Sequence, residues 1–199
     1  MKKSMFLSFI FFTVLLSMFE TSIKFSLSET IRNKKVFLKA FYALDEPRFH
    51  CVDIPGHKER VKLNAALVVH TCKEGIWNKD ELFDFMSISK GKLRMIEYNL
   101  CVKAESESEG SKIFLHKCDN SKLQLWNYNN YHVRLKEFPD SCLTIGKEKS
   151  YLTRGGKRLP TRHMARKILI SKCSEESFQR QVWRFEEPLK GISRILPFK

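Results

Sequence analysis

Long apolar runs are scarce in this 199-residue chain: after the stretch from Met5 to Phe19 there is no second one. Nothing beyond residue 19 therefore reads as a membrane span, which needs about 20 consecutive apolar residues. Metal-ligand spacings are missing as well. Neither Cys-x-x-Cys nor His-x-x-x-His occurs, so no tetrahedral zinc site is predicted. There is no Gly-x-Ser-x-Gly elbow and no phosphate-binding glycine loop, which removes common hydrolase and nucleotide-binding signatures. Asn-x-Ser/Thr is absent, so N-glycosylation is not expected. Helical periodicity is hard to find; short β-branched and aromatic runs, broken by Gly, Asn, Asp, Ser and Lys, take its place. No cofactor is implied.

The one apolar run is preceded by Lys2 and Lys3 and carries only small hydroxyls as polar relief. That is the pattern of a secretory signal, assigned to residues 1–28, or of a membrane anchor if it is retained. Export leads to a secreted or periplasmic location. A segment with a first strand (29–45), a main domain (46–187) and a basic tail (188–199) follow. About 170 residues after a signal are enough for one hydrophobic core.

Six cysteines follow the signal: Cys51, Cys72, Cys101, Cys118, Cys142 and Cys173. An even number in an exported chain points to disulfides. Three segments repeat one pattern, Leu67-Val-Val-His-Thr-Cys72, Ile113-Phe-Leu-His-Lys-Cys118 and Ile168-Leu-Ile-Ser-Lys-Cys173, and two are followed by Gln-x-Trp, at Gln124 to Trp126 and Gln181 to Trp183. In the first copy Glu81-Leu-Phe83 stands at that place. Each copy holds one early and one late cysteine. The economical pairing is then Cys51 with Cys72, Cys101 with Cys118 and Cys142 with Cys173. Many short strands in a threefold repeat argue for a closed β-barrel.

Charge is uneven. The chain carries a net +14, and Lys147 to Lys167 holds eight Lys or Arg against the single acid Glu148. This stretch reads as an insertion in the third copy. Such a field attracts anions in general, but no recognition helix or RNA-binding signature accompanies it, so nucleic acid is not the expected partner.

Paired cysteines, apolar strands and Gln-x-Trp, three times over across residues 46–187, resemble the ricin B-type lectin family. The resemblance implies an all-β fold, a β-trefoil of three pseudo-repeats around an approximate threefold axis. It implies that Phe83, Gln124, Trp126, Gln181 and Trp183 are structural. It also implies a carbohydrate or glycoconjugate partner, bound by an Asp two residues after the first cysteine, an aromatic two residues before the second, and polar groups beside the Gln. A carboxylate accepts bonds from two sugar hydroxyls while an aromatic face covers the ring.

On that pattern the carbohydrate candidates are Asp53, His70, Asp80 and Glu81, all in repeat one. Asp53 also opens the turn Asp53-Ile-Pro-Gly56, a position that favours Asp for structural reasons. Repeat two has Lys103, His116 and Leu123, and repeat three has Thr144, Ser171 and Arg180, so neither keeps the carboxylate. Lys103, Arg154, Lys157, Arg158, Arg162 and Arg180 instead form a set suited to anionic ligands such as acidic glycans. Catalysis is not expected: Asp80 and Glu81 are adjacent, and strand neighbours point to opposite faces. The alternative is a non-catalytic, disulfide-stapled interaction module without sugar binding.

Overall fold

The computed structural model describes residues 34–75 and 77–189. The signal assigned to residues 1–28 and residues 190–199 of the tail lie outside them. No helix among the described residues is long and apolar enough to cross a membrane.

Thirteen strands among the described residues form one network. Repeat one supplies β1 (Lys35–Ala40), β2 (His50–Asp53), β3 (Val68–Thr71) and β4 (Leu82–Asp84). Repeat two supplies β5 (Arg94–Met95), β6 (Leu100–Ala104), β7 (Ile113–Lys117) and β8 (Trp126–Asn129). Repeat three supplies β9 (His132–Leu135), β10 (Phe138–Ile145), β12 (Met164–Lys172) and β13 (Trp183–Glu186), with the extra β11 (Tyr151–Leu152) in its insertion. The helices are single turns, as the weak helical periodicity leads one to expect.

First and fourth strands of the repeats close a ring. β1 pairs with β4 and β13, β4 with β5, and β8 with β9. The two remaining seams are narrow: at one the Trp126 amide donates to Gly91 O at 2.9 Å, and at the other His132 bridges Val182, with the Trp183 amide donating to Tyr131 O at 2.7 Å. The inner strands form hairpins, β2 with β3, β6 with β7, and β10 with β12. The hairpins meet one another where Val68 faces Lys167 and where the Leu67 amide donates to Ile113 O at 2.7 Å. This is a β-trefoil.

Strand alternation explains the core. On β1, Val36, Leu38 and Ala40 face the main cluster, whereas Phe37 turns outward onto Cys51, Cys72 and Leu82. The disulfides join Cys51 to Cys72, Cys101 to Cys118 and Cys142 to Cys173, the pairing the repeat predicts. They close each hairpin to its neighbouring turn.

Trp126 and Trp183 fill the core and use their indole N–H alike. Each donates to the carbonyl one residue past an early cysteine, Val102 O at 3.0 Å and Leu143 O at 2.9 Å. Phe83 takes the same place without a donor, which suits a buried ring with no polar edge to satisfy. Gln124 and Gln181 are buried and act as repeated clips. Their Oε1 atoms accept the amides of Asp119 and Ser174 at 3.0 Å, and their Nε2 atoms donate to Lys117 O at 2.9 Å and Lys172 O at 2.8 Å. Gln181→Leu takes a partner from two part-buried backbone groups, the Ser174 N–H and Lys172 O, so urea denaturation should show a loss of about 1–3 kcal/mol.

Candidate functional site

Corresponding residues of the three hairpins face one another across the strands. Cys51 sits opposite His70 and Asp53 opposite Val68; Cys101 sits opposite His116 and Lys103 opposite Phe114; Cys142 sits opposite Ser171 and Thr144 opposite Leu169. Directly opposed residues project from the same face of a pair. One position in the fold is therefore built three times, with different chemistry each time.

In repeat one the four carbohydrate candidates do come together, but inside the protein. Asp53 is 2% exposed and Glu81 fully buried. Asp53 Oδ1 accepts the Ile54 amide at 2.7 Å, which is the turn role, and Oδ2 accepts from Lys73 Nζ at 2.8 Å. Lys73 Nζ also donates to Asp80 Oδ2 at 2.8 Å, and its backbone N–H donates to Glu81 Oε2 at 2.8 Å. Asp80 and Glu81 thus converge on one residue. They lie in a 3₁₀ turn, Lys79–Glu81, rather than on a strand, so the expectation that they point to opposite faces does not apply.

Lys73 was not visible as a site residue in the sequence. Its only signal is its place directly after Cys72, where Asp119 and Ser174 stand in the other repeats. Burial raises Asp53 to about 7 and pushes Glu81 well above the carboxylate range, while the charge of Lys73 opposes both shifts. Burial disfavours the Lys73 ammonium, yet Asp53, Glu81 and Asp80 together hold its pKa above the ordinary lysine value. His70 is driven well below its usual range by burial and by Lys73, so it is neutral. Its Nδ1 lies 2.8 Å from Thr71 O and 3.7 Å from both Asp53 Oδ2 and Glu81 Oε1. With three oxygens around it, that nitrogen carries the proton and donates to Thr71 O. Glu81 cannot make this bond when ionised; in the other repeats the glutamine Nε2 makes it. Asp53, His70 and Glu81 offer ligand atoms within 4.8 Å of one another, and the Lys73 ammonium already supplies positive charge to that group.

Repeat three is closed by neutral bonds. Ser171 Oγ donates to Thr144 Oγ1 at 2.8 Å, and Gln181 Nε2 lies 3.1 Å from both hydroxyl oxygens. Arg180 is tied to Ile145 O at 2.9 Å and Ser177 Oγ at 2.7 Å.

Repeat two is open. Lys103, Phe114 and His116, with Asn64 and Glu105, line a cavity of about 460 Å³. Leu123 packs on the core instead. Sequence reasoning singled out Lys103 but not Phe114, which lies opposite it, nor Asn64, which arrives from repeat one.

The basic insertion is folded. Thr153 caps a single helical turn, Arg154–Arg158, by accepting the Gly156 amide at 2.9 Å. Gly156 packs so tightly that a Cβ there would lie 2.1 Å from His163 O. Arg166 is buried and paired with Asp45, whereas Arg154, Lys157, Arg158 and Arg162 are exposed. The insertion is pinned to repeat one by Ser150, whose Oγ lies 2.8 Å from Asp45 Oδ1 and 3.0 Å from His50 Nε2.

His50 is fully buried, and burial lowers its pKa to about 4; His163 is lowered to about 4 for the same reason. An unfolded histidine takes up its proton near pH 6.5. The unfolded chain therefore gains protons first as pH falls, and the stability these residues contribute is lost between pH 6.5 and 4. Asp53 acts in the opposite direction: it is protonated in the folded state up to about pH 7 but ionised from about 3.8 when unfolded, so its burial costs stability as pH rises. His50→Gln should make the fall in unfolding free energy between pH 6.5 and 4, read by urea denaturation, shallower than in the wild type by up to about 3 kcal/mol. Parallel slopes for the two proteins would count against this assignment.

Four likenesses to known proteins, one family model and three solved structures, bear on this chain. The family model for the ricin-type beta-trefoil lectin domain matches residues 43–155, more than half of the chain. The chain belongs to that family. The structure of the C-terminal domain of an earthworm lectin, a mutant in complex with 6′-sialyllactose, is similar to this ricin-type domain at a TM-score of 0.53 and 17% identity, covering 77% of this chain and 98% of the other. The C-half of the earthworm R-type lectin, in complex with GalNAc, gives 0.55 and 16% over the same shares. The β-trefoil lectin of the Vibrio vulnificus hemolysin, with N-acetyl-D-lactosamine bound, gives 0.52 and 12%, covering 80% of this chain and 98% of that one. At such identities these likenesses speak for the fold. No curated protein sequence matches.

Proposed function

We propose that this ricin-type domain is a non-catalytic carbohydrate-binding protein whose ligand site lies in repeat two and favours glycans bearing a negative charge. The observation that carries this reading is the contrast among three equivalent positions: repeats one and three are closed by their own side chains, and repeat two forms a cavity around Lys103, Phe114 and His116. A lysine there donates to a carboxylate or sulfate. Phe114 offers an apolar wall, while Asn64 and Glu105 supply a donor and an acceptor for hydroxyls. Neighbours of this fold hold sugars, among them a sialylated one. The exposed cations of the insertion, Arg154, Lys157, Arg158 and Arg162, extend the preference to longer acidic chains. Three disulfides behind an N-terminal signal-like run support export to an oxidising compartment.

Lys103→Glu should weaken 6′-sialyllactose about ten- to a hundredfold, the loss expected for one charge-assisted hydrogen bond, and weaken lactose far less. Titration calorimetry checks both. A sulfated polymer such as heparin should bind progressively more weakly as salt is raised, because the cations of the insertion are exposed and screened. Absence of binding to every neutral and acidic glycan on an array would instead favour an interaction module that has lost sugar binding.

A further inference from the structure

We propose that Lys73 is a built-in occupant of the repeat-one pocket, and that this residue keeps that pocket closed to an external ligand. The inference rests on the reading that the fold binds saccharides, but on a different repeat and a different residue.

The geometry points to Lys73 from three sides. Its ammonium donates to Asp53 Oδ2 and Asp80 Oδ2, both at 2.8 Å, and lies 3.9 Å from Glu81 Oε1. A protonated amine with several donors aimed at two carboxylates makes the same bonds that adjacent hydroxyls of a polyol would make. Its backbone is fixed as well, following Cys72 of the disulfide and donating its amide to Glu81 at 2.8 Å. Neither other repeat has a lysine at this place: repeat two, with Asp119, has an open cavity, and repeat three, with Ser174, is closed instead by the bonds among Thr144, Ser171 and Gln181.

The pocket also holds more acceptors than Lys73 satisfies. Asp80 Oδ1 and Glu81 Oε1 are buried and have no hydrogen-bond partner. Three carboxyl groups face one ammonium, with His70 turned to Thr71 O and His163 packed on the His70 ring at 5.1 Å. With Lys73 shortened, Asp53 and Asp80 become free acceptors beside the His70 ring. The chemical class such a pocket takes is a saccharide with adjacent free hydroxyls, and no negative charge, since an anion would meet the carboxylates.

The test is a residue-resolved NMR titration with lactose of the wild type and of the double variant Lys73→Ser with Glu81→Gln. The second change removes the surplus carboxylate and restores the clip that Gln124 and Gln181 form. In the wild type, amides of Asp53, His70 and Asp80 should not move; in the variant they should shift and saturate. A folded variant whose repeat-one amides stay still overturns the proposal, and so does a wild type in which they shift. Lys73→Gln, which keeps more of the side chain, serves if the double variant does not fold. Acetylation of the wild type gives a check that needs no variant: Lys73 should be among the slowest lysines to react, with a rate unchanged by lactose. Acceleration by lactose, or shifts of repeat-one amides on adding Zn²⁺, would mean that the pocket is opened by a ligand or holds a metal. The repeat-two reading is judged separately, from 6′-sialyllactose shifts at Lys103 and His116 in the wild type.

Discussion

Reduction of the three disulfides should unfold the domain at 37 °C. The bonds close loops with sequence separations of 21, 17 and 31 residues. The chain-entropy relation gives about 3–4 kcal/mol for each loop of this size. Their sum, about 10 kcal/mol, is as large as the whole net stability of an ordinary domain, about 5–15 kcal/mol. The cost is concentrated where the fold has few alternatives. Cys51 and Cys72 lie in the small cluster with Phe37 and Leu82 that covers the outer side of β1, so breaking that bond also loosens packing. Thermal unfolding followed by tryptophan fluorescence, with and without a phosphine reductant, reads this directly. The oxidised protein should melt cooperatively and the reduced protein should show no transition above 37 °C. Among single deletions, the pair Cys51→Ser with Cys72→Ser should cost the most, because the longer Cys142–Cys173 loop adds only about 0.3 kcal/mol of chain entropy, less than the packing lost in the Phe37 and Leu82 cluster.

Trp183→Ala should cost about 3–5 kcal/mol, the range for removing a fully buried large side chain. Trp183 is 0% exposed and stands at a seam of the ring. Its backbone amide bonds to Tyr131 O, its Cα faces that of Ala40 on β1, and its indole holds Leu143 O. Removing the indole leaves a cavity beside the narrow bridge that joins β13 to β9 and takes the indole donor away from Leu143 O on β10. Trp183→Phe separates the two terms: it keeps most of the volume and loses the N–H, so about 1–2 kcal/mol is expected. Phe83 shows that the fold accepts a ring without a donor at this place. Equilibrium urea denaturation of the three proteins gives the ordering; a phenylalanine variant as unstable as the alanine one would put the hydrogen bond, rather than the packing, in control.

The features these two variants probe were legible in the sequence because they are shared by the repeats. Cysteine pairing, the tryptophans and the glutamine clips recur at fixed offsets, and a recurring offset reports a recurring contact. A first strand is expected within residues 29–45, and Lys35–Ala40 is what forms there. The site was less legible because it depends on where the repeats differ and on side chains that travel. Asp53 stands where a sugar-binding carboxylate would, but the Lys73 stem folds back across twenty residues of sequence to neutralise it. Arg180 was read as an anion-binding candidate, and its guanidinium is bonded to Ile145 O and Ser177. Asn64 reaches the repeat-two cavity only because the hairpins meet around the axis, which no pattern within one repeat encodes.

The crystal structure of the domain soaked with 6′-sialyllactose tests the central claim most directly. The account predicts the saccharide in repeat two, with its carboxylate on Lys103 and a ring face on Phe114, and Lys73 still bonded to Asp53 and Asp80. A saccharide seated on Asp53 and His70 with Lys73 displaced, or one at Thr144 and Ser171, would contradict it.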